Sequence, residues 1–409
     1  MLFTLIYRRR LQKPLSFGEL QRLEAQARLS NARQQVTGVL LFDGAYFLQA
    51  LEGPQAAVEA VFARIARDPR HDRIVTLLRD WAPSQRFSAW GMQLLDGTTG
   101  DGGAALRRWL DTHLKRAPDH RAFRVVEAFV SGAWRREVID ADPAAWQLVV
   151  DPGQMLGPAP GAADAPCRFA LQPIVSTALQ QVTSYEALLR SPAGGSPQEC
   201  FGTVAPDQWH RFDLESKTHA LALAARLGLG ERKLALNLSP MSLVGDHQAV
   251  QYLLEQVRAH GLRPDQIIVE VTEEQAISHF DLFLATVRRL RGAGFSVAID
   301  DFGAGHAGLS LLARFQPDKI KIDRSLVQGI DGDGPRQAIV HAVLDVSLRL
   351  GIDVVAEGVE TLAEWSWLQA AGVERFQGYL FARPALDGAP AVHWPQRIAP
   401  ADAGSLQAS

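Results

Sequence analysis

Acidic and amide side chains close a series of short apolar runs in the second half of the chain. Glu186 lies in VTSYEALLR, Asn237 ends KLALN, Glu270 ends IIVE, and Asp300 ends FSVAID with Asp301 directly after it. Lys321 lies in KIKID, and Glu357 closes VVAE. Carboxylates drawn together from several strand ends repel one another unless cations lie between them. Oxygen donors with no His or Cys among them favour hard ions such as Mg²⁺ or Mn²⁺. A plainer reading is that each strand ends in charge because it reaches solvent. For one residue the two readings are equally good; for these seven polar groups at the ends of apolar runs the plainer one is the poorer.

Those groups need a scaffold that gathers strand ends. Strands are expected at Phe169 to Gln172, Val182 to Leu189, Lys233 to Asn237, Gln266 to Glu270, Phe295 to Asp300, Lys319 to Ile322, Asp353 to Ala356 and Arg375 to Tyr379, with helical patterns between most of them. Such alternation indicates an α/β region built as a modified (β/α)8 TIM-type barrel, whose strand C-termini converge on one mouth.

The first hundred residues read differently. Leu2 to Tyr7 form an apolar run, and a helical pattern starts at Ser16 with Glu19 as its capping-box partner. Strands Val36 to Phe42 and Ala45 to Leu51 flank Asp43-Gly44, a hairpin signal. A helix over Pro54 to Arg67 and strands at Ile74 to Leu78 and Phe87 to Leu95 complete an α+β domain. Tyr7, Asn31, Gln49, Trp90 and Met92 are its candidate site residues. Tyr7 and Gln49 are polar groups in apolar strands and need partners; each can serve as the other's.

Glycine-rich Gly97 to Gly103 precedes two helical patterns, Ala104 to Lys115 and Asp119 to Phe129, and Asp151 to Pro166 has the Pro, Gly and Ala content of a linker. The expected domains are 1–96, a helical relay and linker at 97–166, a barrel at 167–398 and a tail at 399–409.

The net charge of −3 argues against a partner that is a nucleic-acid polymer. Cys167 and Cys200 build neither a metal cluster nor a disulfide framework, which suits a reducing cytoplasm. The apolar run of MLFTLIYRRR precedes its arginines, the reverse of a signal peptide, and no apolar stretch is long enough to span a bilayer, so no membrane association is expected.

EALLR from Glu186 resembles the signature of the EAL family of cyclic di-GMP phosphodiesterases. QPI at Gln172, NLSP at Asn237, EVTE at Glu270, DDFGAG at Asp300, KID at Lys321, EGVE at Glu357 and QGYLFARP at Gln377 extend the likeness over about 169 to 395. The resemblance implies that Glu186, Asn237, Glu270 and Asp300 hold one divalent cation, and that Asp300 bridges to a second supported by Asp301. It implies that Lys321 contacts the hydrolytic water and Glu357 completes the network, with Gln172, Glu360 and Gln377 around it. Arg190 reaches a substrate phosphate. Two departures, Leu171 before QPI and the segment Cys200 to Pro206, bear on substrate affinity.

Tyr7, Asn31, VTG at Val36, FLQALEG at Phe47, DPRH at Asp68 and Trp90-Gly91-Met92 are together similar to the BLUF family of blue-light sensors using FAD, over about 1 to 95. That family implies a ferredoxin-like α+β fold. It implies that Asn31 binds the flavin ring, that Gln49 hydrogen-bonds its N5/O4 edge, and that Tyr7 donates an electron and proton to excited flavin. Trp90 and Met92 lie on the strand that reports the change. Arg8-Arg9-Arg10 depart from a frequent serine and read as a solvated rim, one of them able to face the FAD diphosphate. Together the resemblances imply a homodimeric, blue-light-regulated enzyme that hydrolyses cyclic di-GMP to linear pGpG. The alternative is a non-enzymatic light switch whose barrel binds nucleotide or a protein partner.

Overall fold

The computed structural model describes residues 2–11, 17–68, 71–82, 85–87, 91–96, 104, 108, 121–132, 134, 141–157, 165–244, 248–278, 280–305 and 308–398. The chain forms two units, one made of Met1–Ile139 and Gly329–His341, the other of Asp140–Gln328 and Ala342–Ser409.

Strand periodicity organises the first unit. Strands β1 (Leu2–Leu11), β2 (Thr37–Phe42), β3 (Tyr46–Gly53), β4 (His71–Ala82) and β5 (Gly91–Asp96) form one sheet in the order β4-β1-β3-β2-β5. The first four strands and helices Phe17–Ala32 and Gln55–Ala66 give the ferredoxin-like βαββαβ arrangement, and β5 adds a parallel strand beside β2. Alternate residues of a strand go to opposite faces, so the sheet carries two cores. Phe3, Leu5, Tyr7, Phe47 and Leu51 pack with Val58 and Val61 of the second helix. Ile6, Leu48 and Ala50 pack with Ala122, Phe123, Val126 and Phe129 of helix Arg121–Ser131. Asp43 closes the β2–β3 hairpin, its carboxylate accepting from the backbone N–H groups of Ala45 and Tyr46, while Gly44 has φ +101°.

Two expectations need amending here. Arg8 and Arg9 are not a solvated rim: they are 7% and 2% exposed, and their guanidinium groups lie over the rings of Trp134 and Phe47. The two side chains take opposite faces of the sheet, as the period of two requires. Strand β1 also runs four residues beyond Tyr7, because Arg8, Arg9 and Arg10 continue the pairing with β3. Ser16 and the residues from 109 to 120 lie outside the described residues, as do 97–103; within the relay, Ala104 and Arg108 are helical.

In the second unit β6 (Trp146–Asp151) lies inside the segment expected as relay and linker, and pairs antiparallel with β16 (Val392–Arg397). The barrel is built from β7 (Arg168–Ser176), β8 (Gln181–Arg190), β9 (Lys233–Asn237), β10 (Ile267–Thr272), β11 (Ser296–Phe302), β12 (Lys319–Ile322), β13 (Asp353–Ala356) and β14 (Arg375–Phe376). Strands β8 to β14 run parallel to their neighbours, and β7 is antiparallel to both β8 and β14, which closes the barrel. A short strand, β15 (Ala385–Leu386), adds to β7. The barrel strands are apolar and buried on both faces, and the polar groups gather where they end. No helix among the described residues is long and apolar enough to cross a membrane.

Candidate functional site

Register decides which polar groups meet at the barrel mouth. Gln172 of β7 stands opposite Glu186 of β8, and Glu270 of β10 opposite Asn237 of β9. Asn237 donates its amide N–H to Glu186 Oε1 at 2.6 Å, and Gln377, just past β14, donates to Glu186 Oε2 at 2.6 Å and to Gln172 Oε1 at 3.1 Å. Lys321 is 1% exposed. Its Nζ lies 2.6 Å from Glu357, 2.9 Å from Glu270, 3.0 Å from Asp300 and 3.3 Å from Glu186. Sequence reading had named each of these residues, and the fold brings them together.

One ammonium among four carboxylates leaves an excess of buried negative charge. Burial pushes the Glu270 carboxyl up to about 8, with Glu186 and Asp300 adding to the push against Lys321. Glu357 is raised well above the carboxylate range, chiefly by burial. Burial also acts on Glu186, but Lys321 and the amide donors Gln377 and Asn237 prevail and hold it low. Asp301 is lifted to about 6 by burial, then by Asp300 and Asp323. Lys321 loses by burial and gains more from its carboxylates, so it stays protonated.

The acidic oxygens fall into two overlapping groups. Glu186, Glu270 and Asp300 bring oxygens within 4.8 Å of one another, and Asp300, Asp301 and Glu357 do the same. Asp300 belongs to both. This all-oxygen donor set fits hard divalent cations, whose charge would relieve the excess. Asp301 sits at φ +53°, a left-handed conformation uncommon outside glycine, which Asp and Asn adopt more readily than other side chains. Two anchors fix the turn around it. Asp300 Oδ1 accepts from Asp301 N–H at 3.0 Å, and the buried Glu273 accepts from Gly303 N–H at 3.0 Å. Gly303 has φ +97°, and a Cβ there would meet Leu326 at 2.4 Å.

Two cavities flank this centre. One, of about 270 Å³, is lined by Gln172, Glu186, Asp300, Asp301, Glu357 and Glu360, among others. The second, of about 320 Å³, has Asn237 and Glu270 on its wall with Phe201, Trp209, Asp213 and Ser239. Arg190 is half-buried at the end of β8 and donates to Leu189 O at 2.8 Å.

Sequence reading missed Glu273 and the buried pair Asp213–Lys217. Asp213 accepts from Lys217 Nζ at 2.7 Å, Ser242 Oγ at 2.7 Å and Ser239 N–H at 3.0 Å, so it fixes the turn that follows Asn237. Asp213 and Lys217 stand at i, i+4 in helix Trp209–Leu227, a spacing that sequence alone does not distinguish from a surface ion pair. For Glu273, the second acid of EVTE, the signal was its place one residue past a strand end.

In the first unit Tyr7 and Gln49 stand opposite each other on β1 and β3, and Tyr7 O–H donates to Gln49 Oε1. Both are buried, as is Asn31 near the end of the first helix. Burial pushes the Tyr7 phenol up, and the charge of Arg9 opposes the shift. Met92 lies in β5; Trp90 falls outside the described residues. Three buried neutral polar side chains suit a planar heterocycle with donors and acceptors on its rim, which is the chemistry of a flavin.

Known proteins share both halves. The family model described as "EAL domain" matches residues 165–384, and the one described as "Sensors of blue-light using FAD" matches residues 2–93. The blue light- and temperature-regulated antirepressor BluF of Escherichia coli is 38% identical over 403 residues, 97% of this chain and 100% of that protein. BlrP1 of Klebsiella pneumoniae, in complex with manganese and cyclic di-GMP, is 44% identical with a TM-score of 0.90, over 97% of this chain and 100% of that one. Another structure of BlrP1 contains FMN and cyclic di-GMP without metal ions, with a TM-score of 0.84 at 41% identity over the same shares. The probable cyclic di-GMP phosphodiesterase PdeN of Escherichia coli is 35% identical over 227 residues, 53% of this chain and 43% of that protein. The chain belongs to the EAL family, as a member in which a BLUF domain precedes the EAL domain.

Proposed function

We propose that the barrel hydrolyses cyclic di-GMP to linear pGpG with two divalent cations, Mg²⁺ or Mn²⁺, and that the first domain holds FAD and sets the rate in blue light. The membership of Asp300 in both oxygen groups carries this reading, since a shared carboxylate is what a two-metal site requires. Glu186, Asn237, Glu270 and Asp300 would hold one cation, and Asp300, Asp301 and Glu357 the second. The cations would supply the charge that activates water and clamps the attacking and leaving oxygens.

The chain's own groups do the rest. Lys321 keeps its proton, so its ammonium can orient a water by donating to it and can balance the negative charge of the reacting phosphate. Gln377 and Asn237 hold the two oxygens of Glu186 apart and fix its orientation. The cavities on either side of the centre suit the two halves of an elongated dinucleotide. Trp209 and Phe201 offer aromatic surface to a purine, and Arg190 is the group for a phosphate. In the sensor, Tyr7 holds a proton at its phenol oxygen toward Gln49, whose amide has a donor end and an acceptor end. Turning that amide reverses its hydrogen bonds without breaking a covalent bond. The protein acts as a homodimer, with the exposed Leu309 of helix Gly308–Arg314 available to a second copy.

The likeness to the antirepressor BluF favours a second reading, in which the barrel binds a partner and does no chemistry. The intact acidic set favours hydrolysis. The deciding experiment is a turnover assay of the yellow, flavin-loaded protein with cyclic di-GMP and Mg²⁺ in darkness and blue light. Nucleotide binding without pGpG in either state would leave the switch reading standing and remove the enzymatic one.

A further inference from the structure

Arg9 is a full charge buried in the sensor sheet beside the neutral pair Tyr7 and Gln49. It follows Tyr7 by two residues and so shares its face. Its register partner on β3 is Phe47, as that of Tyr7 is Gln49, and no bulge interrupts the β1–β3 pairing between them. The guanidinium lies 4.6 Å from the centre of the Phe47 ring, and the residue is 2% exposed. Its charge is felt at the Tyr7 phenol. An arginine stays protonated at every working pH, and a buried cation is tolerated where electron-rich groups face it. Two residues along a strand span roughly 6.6–6.8 Å, a distance within the length of an isoalloxazine ring.

We propose that Arg9 is a cofactor-tuning residue, its guanidinium fork directed at the carbonyl edge of the flavin ring, where it strengthens binding and makes the flavin easier to reduce. This rests on the flavin reading above. A fork of N–H donors matches adjacent carbonyl and ring-nitrogen acceptors, and a fixed positive charge stabilises the reduced ring, which carries more negative charge than the oxidised one. Gln49 and Tyr7 then govern the hydrogen-bond switch, while Arg9 governs the potential against which it works.

The test is a reductive titration of the full chain against a reference dye, with flavin content read from its absorption. The variants are Arg9→Lys, Arg9→Met and Arg9→Ser. Arg9→Lys keeps the charge, and its midpoint potential should stay near that of the wild type. Arg9→Met keeps the apolar stem over Phe47 and loses the charge, so its potential should move to more negative values. Arg9→Ser should move the same way and bind flavin more weakly. If Arg9→Met binds flavin with an unchanged potential, Arg9 is a packing residue and the proposal falls. It also falls if Arg9→Met keeps its potential but no longer prefers FAD to FMN, because the charge would then serve the diphosphate. A wild-type protein that takes up no flavin would overturn the flavin reading itself, an outcome separate from either of these.

Discussion

In the barrel, a buried ammonium is ringed by four carboxylates at 2.6 to 3.3 Å. In the sensor sheet, a phenol and an amide, equally buried, face each other without formal charge. Both sets of polar groups lie at the core of their unit, yet they are held by different means. The barrel groups sit at or near the ends of hydrogen-bonded strands, and the carboxylates of Glu186, Glu270, Asp300 and Glu357 share the Lys321 ammonium. Such a site is rigid and costly to unbalance: removing one member leaves a buried charge without its partner, at roughly 3–5 kcal/mol. The sensor pair sits mid-strand on an apolar face, and either partner can accept or donate. A neutral pair can be rearranged for the free energy of a hydrogen bond or two, about 0.5–1.5 kcal/mol each. Chemistry on a phosphate diester needs the first arrangement, and a reversible switch needs the second.

The sharpest way to break that comparison is to remove the shared carboxylate. Asp300→Ala takes a ligand from both proposed cations, and Glu186→Ala takes one from the first. Turnover of cyclic di-GMP should fall below roughly a thousandth of wild type in Asp300→Ala, the order of loss for a group on which the transition state depends. Circular dichroism should show the barrel still folded. Ca²⁺ in place of Mg²⁺ should also inhibit, because its larger radius and looser coordination disturb the geometry. Substantial hydrolysis by Asp300→Ala would end the two-cation assignment.

A smaller effect is expected at the aromatic wall. Trp209→Ala removes surface on which a purine can stack, a contact of about 1–3 kcal/mol. KM should rise about tenfold with kcat little changed, since stacking is made equally in the ground and transition states. A fall in kcat instead would move Trp209 from binding to chemistry.

The sensor side is tested by Gln49→Leu, which removes the reversible amide and keeps an apolar side chain of similar size. The light-induced red shift of the flavin should vanish, and the ratio of turnover in light to turnover in darkness should become 1. Dark turnover should stay at the wild-type level. In the wild type, light should act on kcat more than on KM, because the segment from Asp300 to Gly305 supplies ligands to both proposed cations. A normal red shift in Gln49→Leu, or an equal one in Tyr7→Phe, would refute the roles given to the pair.

The two regions also differed in how well their sequences could be read. The barrel strands are short apolar runs ended by charge, so Glu186, Asn237, Glu270, Asp300, Lys321 and Glu357 stand out one by one; what no local pattern conveyed is that β7 runs against its neighbours. That follows from pairing across residues far apart in sequence, such as Phe376 with Val175. The Asp213–Lys217 pair was hidden because a charged pair four apart on a helix ordinarily reads as surface. Here the helix is packed against the barrel and the pair points inward. In the sensor, Tyr7 and Gln49 read as ordinary core polar groups until taken with Asn31 and the flanking motifs. The burial of Arg8 and Arg9 was illegible, because three successive arginines look like solvent-facing charge and nothing local shows that both faces of this strand are covered.

The last and smallest effect compares the barrel with itself, with and without metal. Burial holds the Glu270 carboxyl up at about 8 and that of Asp301 at about 6, both above the ordinary carboxylate range. A carboxyl whose folded value is raised binds more protons in the folded than in the unfolded protein at intermediate pH. Its stability contribution is therefore present at low pH and is lost as pH rises from the unfolded value of about 4 toward the folded value. Lys321 remains charged through this window and adds no slope of its own. The metal-free protein should accordingly lose stability between about pH 5 and pH 8. Ionised Glu270 and Asp301 are what a divalent cation binds, so the cation should restore most where most has been lost. With Mg²⁺ or Mn²⁺ present, the rise in Tm should be larger at pH 8 than at pH 5.5, by a few degrees at roughly 2–4 °C per kcal/mol. Calorimetry at the two pH values, with chelator and with metal, measures the difference. The same comparison in Asp300→Ala should show almost no metal effect at either pH. An equal rise at both pH values in the wild type would mean that the cation binds away from the ionising carboxylates.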